Sequence, residues 1–146
     1  MGLKVSYYKN IILSLSRGYN KGIASNAKPL YLMAIFKGIE QGLIIGNILR
    51  FNKDLEQLYI DTCMEYEPDK KPAMFYKPFF HSKSEQYYTI KWKSGVAINK
   101  ASHTPSAKYL RENVEFAALD DELWNLLQDT EIRNDFKNTI IKRFLS

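Results

Sequence analysis

Apolar positions at helical spacing predict helices at both ends of the chain. One face of a first helix is formed by residues at the i, i+3, i+4 and i+7 positions: Tyr8, Ile11, Ile12 and Leu15. Gly18 ends this helix, because glycine favours the loop conformation that follows a helix. The same spacing recurs in two later series: Leu123, Trp124, Leu126 and Leu127, which follow a capping Asp120, and Ile132, Phe136, Ile140 and Phe144.

A second helix is predicted to lie at the centre of the core. Pro29 suits the first position of a helix, where its missing N–H removes no hydrogen bond, so Lys28-Pro29 is expected to begin a helix. This helix runs to about Leu43 and ends at Gly42 or Gly46. Because its residues are apolar nearly all round, we expect other elements to surround it.

Two more helices are predicted from capping residues. Asn52 is suited to cap a third helix, which the breaker sequence Glu67-Pro68-Asp69 ends. Further along, Thr104 and Pro105 have the residue types of an N-cap and a first helical position. They predict a short helix through Arg111.

Between these helices the pattern changes to that of strands. The aromatic runs 79–81 and 87–92 are separated by five polar residues, which predicts a β-hairpin near residues 79–92. Tyr88, Ile90 and Trp92 alternate with polar residues, so one face of the second strand should pack and the other should be basic. The whole chain, 1–146, is therefore predicted to be one predominantly helical α+β domain with five to six helices and a short hairpin.

Composition and length support this globular interpretation. A chain of 146 residues with 45% hydrophobic residues is long enough to bury a core of its own. Its longest apolar stretches, such as 31–36, fall far short of the roughly 18 residues of a membrane span. The N-terminus lacks the apolar core of a signal peptide, so a cytoplasmic protein without a membrane partner is expected.

The charges are distributed unevenly along the chain. Residues 70–111 contain nine Lys or Arg against the single acid Glu85, a net charge of +8. Residues 1–69 carry +1 and residues 112–146 carry −4, which together give the overall +5. Such a segment creates a local field suited to a polyanion. A solvated lysine-rich surface explains the charge alone equally well.

Catalytic chemistry has little support in the sequence. His81 and His103 lack the i, i+4 spacing of a helical metal site, and none of the common hydrolase or phosphate-binding motifs occurs. The acidic residues 120–122 stand where a helix N-terminus stabilises negative charge. The single cysteine, Cys63, is expected to pack in the core. We therefore expect a binding protein rather than an enzyme, with no metal and no cofactor.

Three segments resemble, in order, parts of one family. The run 22–35, Gly-Ile-Ala-Ser-Asn-Ala-Lys-Pro-Leu-Tyr-Leu-Met-Ala-Ile, is similar to a basic-Pro-Leu motif that begins the family's second helix. Residues 76–81, Tyr-Lys-Pro-Phe-Phe-His, with the strand ending at Trp92, are similar to its Tyr-Pro-Phe-Phe…Trp hairpin. Residues 117–127 match its Ala-x-Leu-Asp-x-Glu-Leu-x-x-Leu-Leu helix. The family is the sulfur-binding domain at the N-terminus of HNH-type restriction endonucleases.

The resemblance implies recognition of phosphorothioate DNA, in which sulfur replaces a non-bridging phosphate oxygen. It implies that Lys28 is the basic residue before the helix-opening proline, and that Pro78 lines a sulfur pocket. It places base-reading residues in the loop 102–104. The candidate DNA- and sulfur-binding residues are then Lys28, Pro29, Tyr76, Lys77, Pro78, Phe79, His81, Ser102, His103 and Thr104.

The chemistry of sulfur agrees with an apolar cup at these residues. Sulfur is larger, more polarizable and a poorer hydrogen-bond acceptor than oxygen, so ring carbons suit it. Tyr76, Pro78 and Phe79 are expected to supply such a cup, while lysines neutralise the DNA backbone and side chains such as His103 reach base edges. An ordinary phosphate oxygen in the cup loses its hydrogen bonds, at about 1 to 3 kcal/mol.

Two functional classes therefore remain open. The first is a module that binds double-stranded, phosphorothioate-modified DNA, alone or fused to an HNH nuclease domain in a modification-dependent restriction system. The second is a protein interaction or homodimerisation domain, in which aromatic residues of the 75–92 region are exposed. Apart from these two classes, the alternative to the apolar cup is that Pro78 begins an edge strand and that Tyr76 and Phe79 belong to the core.

Overall fold

The helices and strands alternate irregularly along the chain. The computed structural model describes residues 2–20, 22–96 and 104–146. In these ranges the helices are α1 Leu3–Leu13, α2 Ala27–Glu40, α3 Lys53–Tyr66, α4 Tyr76–His81, α5 Ala107–Asn113, α6 Asp121–Leu127 and α7 Thr130–Ile140. The strands are β1 Tyr19–Asn20, β2 Ile23–Ala24, β3 Tyr88–Trp92 and β4 Val114–Leu119. The predicted α+β, predominantly helical class is confirmed. The described part has seven α-helices, slightly more than the predicted five to six.

Helix α2 is the centre of the core, as predicted. Every residue from Leu30 to Phe36 is buried, and α3, α4 and α7 pack around it. The helix begins two residues before Pro29, which occupies its third position and is itself buried. Its first intrahelical hydrogen bond runs from the Leu30 amide to the Asn26 carbonyl at 2.9 Å. Pro29 still costs nothing there, because the first-turn N–H groups have no helical acceptor.

The end of α2 is a glycine cap, of the kind that its sequence predicts. Gly42 has a φ of +73°, in the left-handed region that favours glycine. The Leu43 amide donates to the Gly38 carbonyl at 2.8 Å, which satisfies one of the last helical acceptors. Gly38 is also needed for close packing, because a Cβ at this position lies 2.5 Å from Cδ1 of Ile44.

The pairing of β3 corrects the predicted hairpin. The alternation was correct, since Tyr88 is buried while Thr89 and Lys91 are exposed. However, β3 pairs antiparallel with the distant β4, from Tyr88 opposite Leu119 to Trp92 opposite Val114. The predicted partner, 79–81, is helical. Strand β4 was missed because its apolar residues were read as the approach to the following helix.

Helical spacing of two phenylalanines explains why residues 76–81 form α4. Phe75 and Phe79 are four residues apart, and both rings contact Tyr31 and Phe51 in the core. The aromatic residues favour strands intrinsically, but these ring contacts in the core stabilise the helix by more than that preference. Pro78 is tolerated in the first turn, where its N–H has no acceptor to lose.

Side-chain caps define the remaining helices. Asn52 Oδ1 accepts from the Leu55 amide at 3.0 Å, which confirms the predicted cap of α3. Helix α5 begins later than predicted: Ser106 rather than Thr104 is its cap, and Ser106 Oγ accepts from the Tyr109 amide. Asp120 occupies the predicted cap position of α6, but its carboxylate accepts a hydrogen bond from the Tyr8 hydroxyl instead.

The buried apolar side chains form one cluster. It extends from Val5 in α1 to Phe144 after α7 and includes Phe79, Tyr88 and Leu119. Among the described residues, no helix combines the length and the apolar character that crossing a membrane demands.

Candidate nucleic-acid interface

Helix α4 presents two different faces. Pro78, Phe79 and Phe80 are buried against the core, whereas Lys77 and His81 are exposed. Lys77 and His81 are four residues apart, so they project from one side of the helix. Because the opposite side of α4 packs against the core, Lys77 and His81 face the solvent.

Positive charge converges on the imidazole of His81. Its Nε2 lies 2.6 Å from Oγ1 of Thr104, which joins α4 to the segment before α5. Desolvation lowers the pKa of His81, and the positive charges of Lys28, Lys83 and Lys77 lower it further. The structure therefore brings five polar residues together around α4. Four of them were predicted as site residues, and Lys83 was not.

We expect His81 to titrate below its ordinary pKa of 6.5. Because the folded protein binds this proton less readily than the unfolded chain, the stability contributed by neutral His81 is present above about pH 6.5 and is lost as pH falls from there through the lower pKa of the folded state. Imidazole NMR on a His103→Gln background measures this pKa directly. Lys77→Ala and Lys83→Ala should each raise it, whereas Lys4→Ala should not. A pKa at or above 6.5 contradicts the charge cluster.

Lys28 has an internal partner that the sequence did not predict. Its ammonium lies 2.6 Å from Oε2 of Glu85, and the two side chains are only 11% and 9% exposed. The same carboxylate oxygen accepts from the Ser16 amide at 3.2 Å, and Lys28 Nζ also donates to Ser84. Lys28 is thus part of a nearly buried ion pair, and its contact with the DNA backbone stays a prediction. Lys77 and Lys83 are the exposed cations of this region.

The expected apolar cup of Tyr76, Pro78 and Phe79 is not open to solvent. Phe79 is 0% exposed and contacts the rings of Tyr31, Phe51, Phe75 and Tyr88. Pro78 is buried as well, and Pro29 is buried in α2. Of the three cup residues, only Tyr76 reaches the surface, where it is half-buried.

An aromatic stripe lies beside the exposed cations. Phe80 is four residues after Tyr76, on the same side of α4, and its ring contacts Trp92 of β3 with centroids 6.5 Å apart. Trp92 in turn contacts Tyr109 of α5 at 6.2 Å. Lys83 Nζ lies 4.9 Å from the centroid of Phe80, so charge and aromatic surface are adjacent.

Three residues of this region were not among the predicted site residues: Lys83, Trp92 and Tyr109. Lys83 was part of the recognised basic segment, and Trp92 was expected on the packed face of its strand. Tyr109 had no signal, because its proximity depends on the unpredicted pairing of β3 with β4. Two selected residues, Ser102 and His103, lie outside the described residues, while Thr104 is half-buried beside His81.

The residues considered for catalysis have structural partners. Cys63 is buried in α3, and this burial raises the pKa of its thiol to about 11. Asp120 accepts from Tyr8, Asp121 accepts from Asn47, and Glu122 pairs with Lys4. The acidic residues thus contact α1 and the loop between α2 and α3, and they stabilise the start of α6.

The interaction-domain alternative requires exposed aromatic residues in the 75–92 region, but most of these residues are buried in the core. Phe75, Phe79, Phe80, Tyr87 and Tyr88 are buried. Exposed aliphatic residues occur instead in the loop after α2, where Leu43 and Ile45 line a cleft of about 270 Å³. Most of the aromatic side chains on which that alternative depends therefore belong to the core.

Comparison with known proteins does not assign the chain to a family. No family model matches the chain, and no curated protein shows a significant match to it. The similarity to the sulfur-binding domain consequently depends on the three segments quoted above.

Proposed function

We propose that this protein is a DNA-binding module that recognises phosphorothioate-modified duplexes through the α4 face. We define the α4 face as Tyr76, Lys77, His81, Lys83 and Trp92. The observation that carries the proposal is that exposed Lys83 lies against the Phe80 ring, which contacts half-buried Trp92, on a helix whose Lys77 and His81 are also exposed.

The charge on this face suits a phosphate backbone. Lys77 and Lys83 are exposed, so their ammonium groups are accessible to ligand oxygens without unfolding any element. Neither forms an ion pair within the described residues. Lysine contacts to phosphates release condensed counterions, which supplies affinity without reading sequence.

The aromatic stripe gives the face its proposed preference for sulfur. Tyr76 and Trp92 are half-buried, so part of each side chain is accessible to a ligand. Trp92 contacts Phe80, whose ring centroid lies 4.9 Å from Lys83 Nζ, so aromatic surface and positive charge are adjacent. A sulfur atom against such a ring keeps favourable dispersion contacts. A phosphate oxygen at the same place loses hydrogen bonds to water.

As a recognition module, the protein supplies targeting and not strand cleavage. Cleavage then belongs to an HNH nuclease domain, fused or associated, in a cytoplasmic restriction system. Homodimerisation fits this role too, because duplex DNA offers two strands related by approximate twofold symmetry.

The salt dependence of DNA binding tests this proposal. For wild-type protein, log affinity should fall linearly with log salt, by about 0.9 per phosphate contacted. Lys77→Ala and Lys83→Ala should each reduce the slope by about one, because each removes one phosphate contact. Fluorescence anisotropy with a labelled duplex at several salt concentrations measures both quantities.

Lys4→Ala is the matched control for these variants. It also removes one positive charge, but Lys4 pairs with Glu122 between α1 and α6. Its slope should equal that of wild type. Equal slopes for all three variants remove the α4 face from the interface.

A further inference from the structure

A second cluster of cations lies in a separate cleft. The cleft has a volume of about 360 Å³ and is formed by the segment after α1 together with the turn after α7. Its walls include two arginines, Arg17 and Arg143, with Ser14, Ser16 and Phe144. None of these residues belongs to the α4 face.

Both guanidinium groups lie against the same aromatic ring. The Cζ atoms of Arg17 and Arg143 are 4.9 Å and 5.6 Å from the centroid of Phe144. Within the described residues, neither guanidinium has a carboxylate within ion-pair distance. Because both arginines line one cleft, their positive potentials add there.

Arg17 is held in position by a chain of hydrogen bonds. Its Nη1 donates to Oδ1 of Asn26 at 2.9 Å. The Asn26 amide nitrogen donates to Oε2 of Glu67 at 2.8 Å and to the Phe144 carbonyl at 3.1 Å. Asn26 is thereby fixed from three sides. Among the residues that the structure describes, Arg17 uses one guanidinium donor in this way, which leaves its other donors for a ligand.

We infer that the Arg17–Arg143 cleft binds a phosphate group. Guanidinium forks match the geometry of phosphate oxygens, and two of them converge here with serine hydroxyls nearby. The positioned Arg17 requires little ordering on binding, which favours affinity. The phosphate belongs either to a small phosphomonoester such as a nucleotide or to a DNA backbone, and the cleft chemistry is the same for both.

Titration with inorganic phosphate, followed by NMR of the backbone amides and arginine Nε–H groups, tests this inference. We expect saturable shifts at Ser14, Ser16, Arg17 and Arg143. Arg143→Gln should weaken binding at least about tenfold, because it removes a charge-assisted fork. Arg143 is exposed, so this variant keeps the core intact. Lys142→Gln is the matched control, and its affinity should stay within about twofold of wild type.

Two competition arms identify the source of the phosphate. Displacement by adenosine monophosphate alone assigns a small phosphomonoester, and displacement by an unmodified duplex assigns the DNA backbone. Lys4→Ala should leave phosphate affinity unchanged, because Lys4 pairs with Glu122 and lies in neither site. The shifts are followed at Arg17 and Arg143, outside the α4 face, so failure of the α4 face does not affect this result. Shifts that do not saturate, or equal weakening by Lys142→Gln, overturn the inference.

Discussion

Lys28→Ala is expected to lower the free energy of unfolding by about 3 kcal/mol. The variant removes one partner of an ion pair whose side chains are both nearly buried, and leaves the Glu85 carboxylate without its cation. Breaking such a pair costs more than the pair contributes, because the remaining charge stays desolvated. Chemical denaturation followed by circular dichroism measures the change.

Two further variants separate the buried charge from other effects. Lys4→Ala breaks an ion pair whose side chains are 64% and 56% exposed, and should cost less than about 1 kcal/mol. The double variant Lys28→Met/Glu85→Gln should recover much of the lost stability, because it removes both charges. If Lys28→Ala costs no more than Lys4→Ala, the pair does not stabilise the fold.

The same pair limits the interpretation of DNA-binding data for Lys28. A loss of affinity in Lys28→Ala combines a missing charge with a disturbed junction between α2, Ser16 and the turn at Ser84. Lys77 and Lys83 do not have this complication, since they are exposed. Binding experiments on the α4 face are therefore best made with those two lysines.

The sequence predicted the parts of the fold that depend on local chemistry. Asn52 was recognised as a cap because its amide oxygen suits the first-turn amides, and the apolar run of α2 could only be buried. The alternation along β3 was equally local. These features require only neighbouring residues, so their patterns are visible without tertiary structure.

Long-range pairings could not be predicted in the same way. The pairing of β3 with β4 joins Tyr88 to Leu119 across α5, and no local turn signals it. Residues 79–81 were predicted as a strand because aromatic residues favour sheets. Their helix depends instead on Phe51 and Tyr31, which approach from other elements.

The candidate site was predicted unevenly for the same reason. The basic segment indicated where cations are dense, and Lys77 and His81 do share an exposed face. Lys28 and Phe79 were selected from the family resemblance, and a sequence motif does not show how deeply a side chain is packed. The structure places Lys28 in a nearly buried ion pair with Glu85 and Phe79 in the core.

Preference for sulfur is the second prediction with a large expected effect. Where a DNA phosphate contacts the aromatic stripe, replacing one of its oxygens by sulfur should make the binding free energy more favourable by about 1 to 3 kcal/mol. This corresponds to an affinity roughly 5- to 150-fold higher. Tyr76→Ser should reduce this ratio, because it removes the ring surface whose dispersion contacts favour sulfur over oxygen. Lys77→Ala should weaken both duplexes to a similar extent, because its charge is attracted to either backbone.

The most direct test is a paired titration of wild-type protein with two duplexes that differ only by one sulfur. Anisotropy is measured at one fixed salt concentration, over a set of flanking sequences and for each diastereomer of the modification. The account predicts that at least one modified duplex binds about fivefold or more tightly than its unmodified partner. Equal affinity across the whole set contradicts the assignment of phosphorothioate recognition to the α4 face.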